Sequence, residues 1–85
     1  MNSNQIDDLL FVSAGDLLNS FGDRDQKTFN CAGKSDEYLR KFNETTVSII
    51  NKLISEGVLD ELNRIEENET GLQYTSLIIV RRSRA

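Results

Sequence analysis

The amino-acid sequence predicts a small α+β domain. Two segments, residues 5–21 and 36–56, place apolar side chains at the spacing of an amphipathic helix, and the second pattern can be followed to about residue 66. Residues 72–82 read LQYTSLIIVRR, a β-branched and aromatic composition that is typical of a strand. We therefore expect a small helical domain with a C-terminal strand that is paired in a small antiparallel sheet or hairpin.

The length of the chain allows one hydrophobic core. A chain of 85 residues buries only about 60–65% of the surface that its unfolded form exposes, so we expect residues 1–85 to form a single domain. Hydrophobic residues make up 38% and charged residues 28% of the chain, a composition that favours a folded protein over a disordered one. Residues 1–4 and 83–85 are expected to fray.

The first predicted helix spans residues 5–21. Gly22 follows it, where a left-handed cap would end the helix. Gly15 costs roughly 1 kcal/mol in a helix interior and Asp16 can cap a new start, so a kink near residues 13–16 is an alternative. The apolar positions recur at intervals of three and four residues: Ile6, Leu9, Leu10, Ala14, Leu17, Leu18 and Phe21.

Residues 23–35 predict a connector rich in turn residues, within which residues 26–32 could form a short strand, although the alternation there is brief. Cys31 is the single cysteine, so the chain can form no internal disulfide. We interpret Cys31 as a small buried hydrophobe. The chain has no histidine to activate a thiol, and the nearby carboxylates would raise the pKa of this one.

The second predicted helix begins after Ser35, which stands before two acidic residues in the position of an N-cap. At residues 43–46 the sequence allows either a continuing helix or a tight turn with Thr45 as a new N-cap. The apolar residues that follow form one stripe, which predicts the central buried helix of the domain: Val47, Ile49, Ile50, Leu53 and Ile54.

Gly57 leaves two alternatives for the residues after it. Either the helix ends there and a β-hairpin begins, or the helix continues to about residue 66. Residues 58–65 are spaced as on a helix and alternate poorly as a strand, so the local pattern favours helix. The strand at residues 72–82 needs a partner for its backbone groups, and the candidates are residues 58–65, residues 26–32 or the same strand of a second chain.

Residues 45–59, TTVSIINKLISEGVL, resemble the recognition helix of bacterial winged-helix regulators. In that family the helix often reads Thr, an aliphatic residue four positions on, Leu four positions later, then three polar residues and Gly-Leu-Ile. The resemblance implies a winged helix-turn-helix fold in which residues 58–65 and 72–80 are the wing strands. It also implies a nucleic-acid-binding transcriptional regulator, with contacts from the helix and the basic tail: Thr45, Thr46, Ser48, Asn51, Lys52, Arg81, Arg82 and Arg84.

The distribution of charge argues against a phosphate-binding surface. The net charge is −4, and three of the ten basic residues stand together in the tail, so the rest of the chain is more acidic still. Residues 56–69 contain six acidic residues against Arg64 alone, and a wing of this composition would repel phosphates. Only about two residues separate Phe42 from Thr45, which is shorter than the usual turn of the family.

These observations favour a small acidic cytoplasmic protein that acts in regulation by binding another protein. It would work as a homodimer, or through its strand edge and acidic helical face. The alternatives are the nucleic-acid-binding regulator and an acidic inhibitor that mimics nucleic acid. The expected interaction surface comprises Asp60, Glu61, Glu66, Glu67, Tyr74 and Ser76.

The sequence predicts no enzymatic activity, no cofactor and no metal site. Histidine, the usual general base and metal ligand, is absent from the chain, and its five glycines form no phosphate-binding loop. No apolar run approaches the roughly 18–20 residues that span a bilayer. Residues 1–10 lack the basic region of a secretory signal, so we expect a cytoplasmic location and no membrane partner.

Overall fold

The computed structural model describes residues 10–69 and 71–84. The chain forms a short helix α1 (Ala14–Asn19), a strand β1 (Gln26–Asn30), a helix α2 of 20 residues (36–55) and two long strands, β2 (Leu59–Glu69) and β3 (Leu72–Arg82). This architecture confirms the predicted α+β class.

The three strands form one antiparallel sheet in the order β1-β3-β2. In β1, the pairing with β3 runs from Gln26 opposite Arg81 to Asn30 opposite Leu77. Strand β2 pairs with β3 along the whole length of β3. Two of the candidate partners considered for the C-terminal strand therefore pair with it at once, one on each side.

Of the two alternatives for residues 58–65, the β-hairpin is the one observed and the helical interpretation was wrong, because β2 begins at Leu59 and occupies the rest of this segment. Helix α2 ends at Ser55, and Gly57, two residues later, has φ +80°, the left-handed conformation that closes a helix. The N–H of Val58 reaches back to the carbonyl of Leu53 (2.9 Å) and that of Gly57 to the carbonyl of Ile54 (3.1 Å), which satisfies two terminal carbonyls. The spacing of apolar residues along this segment carries no information about its pairing with β3. That pairing decides the conformation of the segment.

The first helix is shorter than predicted. It begins at Ala14, and the Oγ of Ser13 caps it by accepting the N–H of Asp16 (3.2 Å). Residues 10 and 11 are not helical, and residues 5–9 of the prediction lie outside the described ranges. A start at Ser13 agrees with the alternative of a break near residues 13–16.

The residues predicted to fray are described only in part, since residues 1–4 and 85 lie outside the described ranges. The N–H of Ser83 donates to the carbonyl of Val58 (2.9 Å), and Arg84 approaches Asp25 (3.2 Å). The end of β3 is thus tied to two other parts of the chain.

Helix α2 is continuous where the sequence allowed a turn. It consists of an α-helical segment (Asp36–Phe42), a π-helical segment (Asn43–Val47) and a second α-helical segment (Ser48–Ser55). Ser35 is its N-cap, as expected.

All helices described pack on one face of the sheet, so the molecule has two layers. Its principal dimensions are 38 × 33 × 17 Å. The hydrophobic core lies between the layers and is built from buried residues of every element: Leu17, Phe21, Phe29, Cys31, Leu39, Phe42, Val47, Ile50, Leu53, Leu59, Ile78 and Val80.

Candidate interaction surface

The central strand β3 separates two faces of the sheet. Ile78 and Val80 are 0% exposed and belong to the core under the helices. Successive side chains of a strand point to opposite faces, so Leu77 and Ile79 lie on the other side. Both are half-buried, and neither belongs to the core cluster or packs against it.

The strand register places nine residues on this second side, in three rows across the sheet. We call it the outer face. One row contains Asn30, Leu77 and Ile65, the next contains Thr28, Ile79 and Asn63, and the third contains Gln26, Arg81 and Asp60. Its aliphatic centre is thus formed by Leu77, Ile79 and Ile65.

Exposed aliphatic surface continues along β2. Ile65 is 48% exposed on the outer face. Leu62 is 42% exposed and is the extra residue at the register shift between Glu61 and Asn63. Among the described residues, no helix covers these two side chains.

The outer face has no net charge. Its two charged residues, Arg81 and Asp60, lie opposite each other, with 3.6 Å between Nε and Oδ2. The remaining polar residues are uncharged amides and one threonine: Gln26, Thr28, Asn30 and Asn63. Because the whole chain has a net charge of −4, the outer face is less acidic than the rest of the protein.

The helical residues predicted to contact nucleic acid do not all reach the surface. Ser48, Asn51 and Lys52 are exposed on α2, and Thr45 is half-buried. Thr46 is 0% exposed, and its Oγ1 accepts the N–H of Phe11 (2.8 Å), so this position is part of the packing and not an available contact.

The three arginines of the tail contact other parts of the protein. Arg81 faces Asp60, and Arg84 lies 3.2 Å from the carboxylate of Asp25. Arg82 donates to the carbonyl of Gly22 (3.0 Å), with its guanidinium 5.3 Å from the ring centre of Phe21.

The residues of the expected acidic surface are dispersed. Asp60 lies on the outer face, whereas Glu61 and Glu66 flank Arg64 at 3.0 and 4.0 Å. Arg64 points toward α2, where it donates to Oδ1 of Asn51 (2.6 Å). Glu67 and Tyr74 are opposite each other in the β2–β3 ladder, and both are half-buried.

The prediction that Ser76 belongs to this surface was wrong. It is fully buried, and its hydroxyl donates to the carbonyl of Ile65 (3.3 Å). It stands at the shift of register between Ile65 and Glu66, where alternation along the strand is interrupted.

The sequence-based prediction missed Leu77, Ile79 and Ile65. A signal for them was present, because residues 77–80 are four consecutive aliphatic residues, LIIV. An antiparallel strand with one solvated face alternates apolar and polar residues, whereas an unbroken apolar run is typical of a strand covered on both faces.

Cys31 is buried, as predicted. The pKa of its thiol is raised from 9.0 to about 11, chiefly by burial and also by the negative charge of Glu67, against the lowering effect of Lys34. A thiol in this environment stays protonated at neutral pH and is a poor nucleophile.

The described part of the chain contains no cluster suited to a metal ion. Within it, no three His, Cys, Asp or Glu side chains are grouped so that they could hold one. No helix in residues 10–69 and 71–84 is long and apolar enough to cross a bilayer.

Comparison of this chain with protein-family models, with curated proteins and with solved structures finds no match.

Proposed function

We propose that this protein acts without catalysis, by binding another protein through the outer face of its sheet. The observation that carries the proposal is the position of Leu77 and Ile79. Both are aliphatic, both lie on the central strand, and neither is packed by any described residue of the core.

The composition of β3 supports a covered outer face. A solvated sheet face normally carries polar side chains between the buried positions. In residues 77–80 both the inward and the outward positions are aliphatic. A second layer on Leu77 and Ile79 would remove their apolar surface from water, which favours association by about 25 cal/mol per Å² of buried apolar area before the costs of binding.

The charge of the outer face defines the chemistry of its partner. The cores of protein interfaces are depleted in charged residues, and the outer face carries only the mutually opposed Arg81 and Asp60. The complementary surface is therefore apolar at its centre and carries no excess charge. This condition disfavours a nucleic acid or a strongly basic protein at this face.

A pair of lysine substitutions tests the proposal. In Ile79→Lys a charge is placed at the centre of the outer face. In the matched control Val12→Lys the same charge replaces an apolar residue that is 79% exposed outside the sheet. Proteins retained by the wild-type chain are identified and purified, and their affinity is then measured by titration calorimetry against all three chains.

We expect Ile79→Lys to weaken binding of the purified partner more than tenfold, a typical effect at the centre of an interface. Val12→Lys should bind as the wild type does. Equal affinity of Ile79→Lys and the wild type would contradict the proposal. Far-UV circular dichroism establishes that each variant is folded, and Ile65→Lys, at an exposed edge of the same face, replaces Ile79→Lys if the latter does not fold.

Nucleic-acid binding is the second candidate function. The observation that favours it is the β2–β3 hairpin, which lies where the winged-helix resemblance places the wing, beside exposed Ser48, Asn51 and Lys52 of α2. The ion pairs of Arg81 and Arg84 leave little free positive charge for phosphates.

The test of this candidate is an electrophoretic shift with duplex DNA at low ionic strength. Binding through α2 would be weakened by Lys52→Ala and unaffected by Lys34→Ala, which removes the same charge from the loop before α2. Absence of a shift with the wild type would exclude this function.

A further inference from the structure

We propose that the free edge of β2 binds an extended, basic segment of another protein, which adds to the sheet as a further strand. This goes beyond the proposed function, because the site consists of the backbone groups of an edge strand and not of the side chains on the outer face. The proposal is carried by the direction of these backbone groups and by the charges beside them.

Strand β2 is the longer of the two edges of the sheet. It has 11 residues, whereas β1 at the opposite edge has 5. The strand order β1-β3-β2 leaves one side of β2 without a neighbouring strand among the described residues. An edge of this kind presents N–H and carbonyl groups that can pair with another chain, and extended peptide segments bind proteins in this way.

A hydrogen bond at the start of β2 shows which of its backbone groups point to the free side. The N–H of Ser83 donates to the carbonyl of Val58 (2.9 Å), so the backbone groups of Val58 face β3. Successive residues of an antiparallel strand point these groups to opposite sides. Leu59 and Glu61 therefore turn their N–H and carbonyl groups to the free side of β2.

Arg64 also turns its backbone groups to the free side. It lies opposite Ile78 of β3. The N–H of Cys31 donates to the carbonyl of Ser76 (2.8 Å), so Ser76 and, by alternation, Ile78 face β1 and not β2. The N–H of Arg64 is held by Oδ1 of its neighbour Asn63 (2.9 Å), a local bond that an added strand would replace.

Glu66 continues this edge. It lies opposite Thr75, whose N–H and carbonyl are both bonded at 2.9 Å by the side chain of Asn43 on the side away from β2. Glu66 thus receives no backbone hydrogen bond from Thr75, and its own groups point outward. The backbone groups of Glu61, Arg64 and Glu66 are therefore directed to the same free side of β2.

The charges beside this edge are acidic. The side chains of Glu61 and Glu66 are each 38% exposed and share one cation, the guanidinium of Arg64, at 3.0 and 4.0 Å. This guanidinium is turned away from solvent toward α2, where it donates to Oδ1 of Asn51 (2.6 Å). Residues 65–80 add three acidic residues and no basic one. A basic segment therefore complements the edge.

The same charges disfavour a second copy of this chain as the occupant. Two β2 strands side by side would join two acidic edges, and like charges on neighbouring strands are destabilising. On the other side of β2, Ile65 is 48% exposed and would lie beside alternate residues of the added strand. The segment that fits therefore alternates Lys or Arg with aliphatic residues.

Titration calorimetry at low ionic strength tests the proposal with a synthetic peptide of about eight residues, in which lysine and valine alternate. We expect the wild type to bind this peptide and not a peptide with glutamate in place of lysine. Glu66→Lys should weaken binding by roughly three- to tenfold, because it replaces an attraction with a repulsion. Asp23→Lys, the same change of charge in the exposed loop before β1, should bind as the wild type does.

Glu66→Gln replaces Glu66→Lys if the latter does not fold, since it adds no positive charge beside Arg64. It should weaken binding of the lysine peptide by about two- to threefold. Far-UV circular dichroism establishes that each variant is folded.

Amide hydrogen exchange distinguishes strand addition from attraction between charges alone. The N–H groups of Glu61 and Glu66 should exchange rapidly in the free protein and at least about tenfold more slowly with saturating lysine peptide, because they enter a ladder. The N–H of Ile65, which faces β3, should exchange slowly in both states. A lysine peptide with N-methylated backbone amides should bind more weakly and should not slow the exchange.

Four results would each overturn the proposal: no binding of the lysine peptide, equal binding of the glutamate peptide, unchanged exchange at Glu61 and Glu66 in the complex, or slow exchange there in the free protein. The last would mean that another part of the chain already pairs with β2. The proposed function is tested separately. Glu66→Lys should leave binding at the outer face unchanged, and Ile79→Ala should leave binding of the peptide unchanged.

Discussion

Asn43 lies where helix α2 passes the part of β3 that β1 does not cover. Its side-chain Nδ2 donates to the carbonyls of Leu39 and Thr75, and its Oδ1 accepts the N–H of Thr75, all at 2.9 Å. The amide therefore bonds both backbone groups of Thr75 as a neighbouring strand would. Without this amide, the N–H and the carbonyl of Thr75 would lack these hydrogen bonds at a buried position.

We predict that Asn43→Ala lowers the free energy of unfolding by about 1–3 kcal/mol, because the two backbone groups of Thr75 lose their partner. Urea denaturation measures the loss. Asn68→Ala, at an exposed position near the hairpin tip, serves as the control and should change stability by less than about 0.5 kcal/mol. Equal stability of Asn43→Ala and the wild type would show that water replaces the amide.

The thiol of Cys31 makes stability depend on pH in the alkaline range. The pKa of this thiol is 9.0 in the unfolded chain and about 11 in the folded one. Between these values the unfolded state loses its proton first. The free energy of unfolding therefore falls as the pH rises from about 9 to about 11, by at most roughly 1.4 kcal/mol per pH unit.

Other groups titrate in the same range, so the prediction concerns the difference between the wild type and Cys31→Ala. The stability advantage of the wild type should be constant below pH 9 and should shrink above it. Urea denaturation of both chains at several pH values measures this difference. A constant advantage up to pH 11 would mean that the folded thiol ionises as readily as the unfolded one.

At the scale of secondary-structure elements, the boundary between α2 and β2 depends on Gly57. Its φ of +80° allows the last turn of α2 to close and the chain to enter β2. Gly15 provides a comparison, because it lies in α1 and does not have this left-handed conformation. A methyl group added at Gly15 would meet no other part of the described chain within 4 Å.

We predict opposite effects for the same substitution at these two glycines. Gly57→Ala should lower the free energy of unfolding by about 1 kcal/mol or more, because a Cβ disfavours positive φ. Gly15→Ala should raise it by about 0.5–1 kcal/mol, because alanine loses less backbone entropy in a helix. Thermal denaturation measures both, and a stabilised Gly57→Ala would contradict the assigned end of α2.

At the scale of the whole molecule, adjacent residues of β3 serve different layers. Ile78 is packed under the helices, whereas Ile79 lies on the outer face. The stability of the folded chain therefore depends on Ile78, whereas the proposed binding of another protein depends on its neighbour Ile79.

We predict that Ile78→Ala lowers the free energy of unfolding by about 2–5 kcal/mol, the usual cost of a cavity in a core. Ile79→Ala should cost less than about 1.5 kcal/mol. It should also weaken the proposed binding of another protein, which Ile78→Ala affects only by unfolding. Equal losses of stability would mean that another part of the same chain covers the outer face.

Several features of the fold were predictable because their signals are local. Ser35 and the acidic residues after it mark the start of α2, and residues 72–82 have the composition of a strand. The burial of Cys31 was predicted from the absence of a histidine that could activate its thiol and from the carboxylates near it in sequence. Each of these inferences needs only a few neighbouring residues.

Other features depended on contacts between distant residues. Residues 58–65 have helical spacing, yet from Leu59 onward they belong to β2, because β3 offers backbone hydrogen bonds along the length of the segment. Thr46 and Ser76 are polar and were expected at the surface, but Phe11 and Ile65 supply hydrogen bonds that allow their burial. No pattern within either segment contains these partners.

The candidate site shows the same division. The sequence by itself determined the α+β class, the central helix, the C-terminal strand and the run LIIV within that strand. Only the tertiary structure decided that helices cover one side of this run and leave Leu77 and Ile79 on the other. The physical reason is that helix spacing and capping are set over a few residues, whereas the exposure of a sheet face depends on which distant elements pack against it.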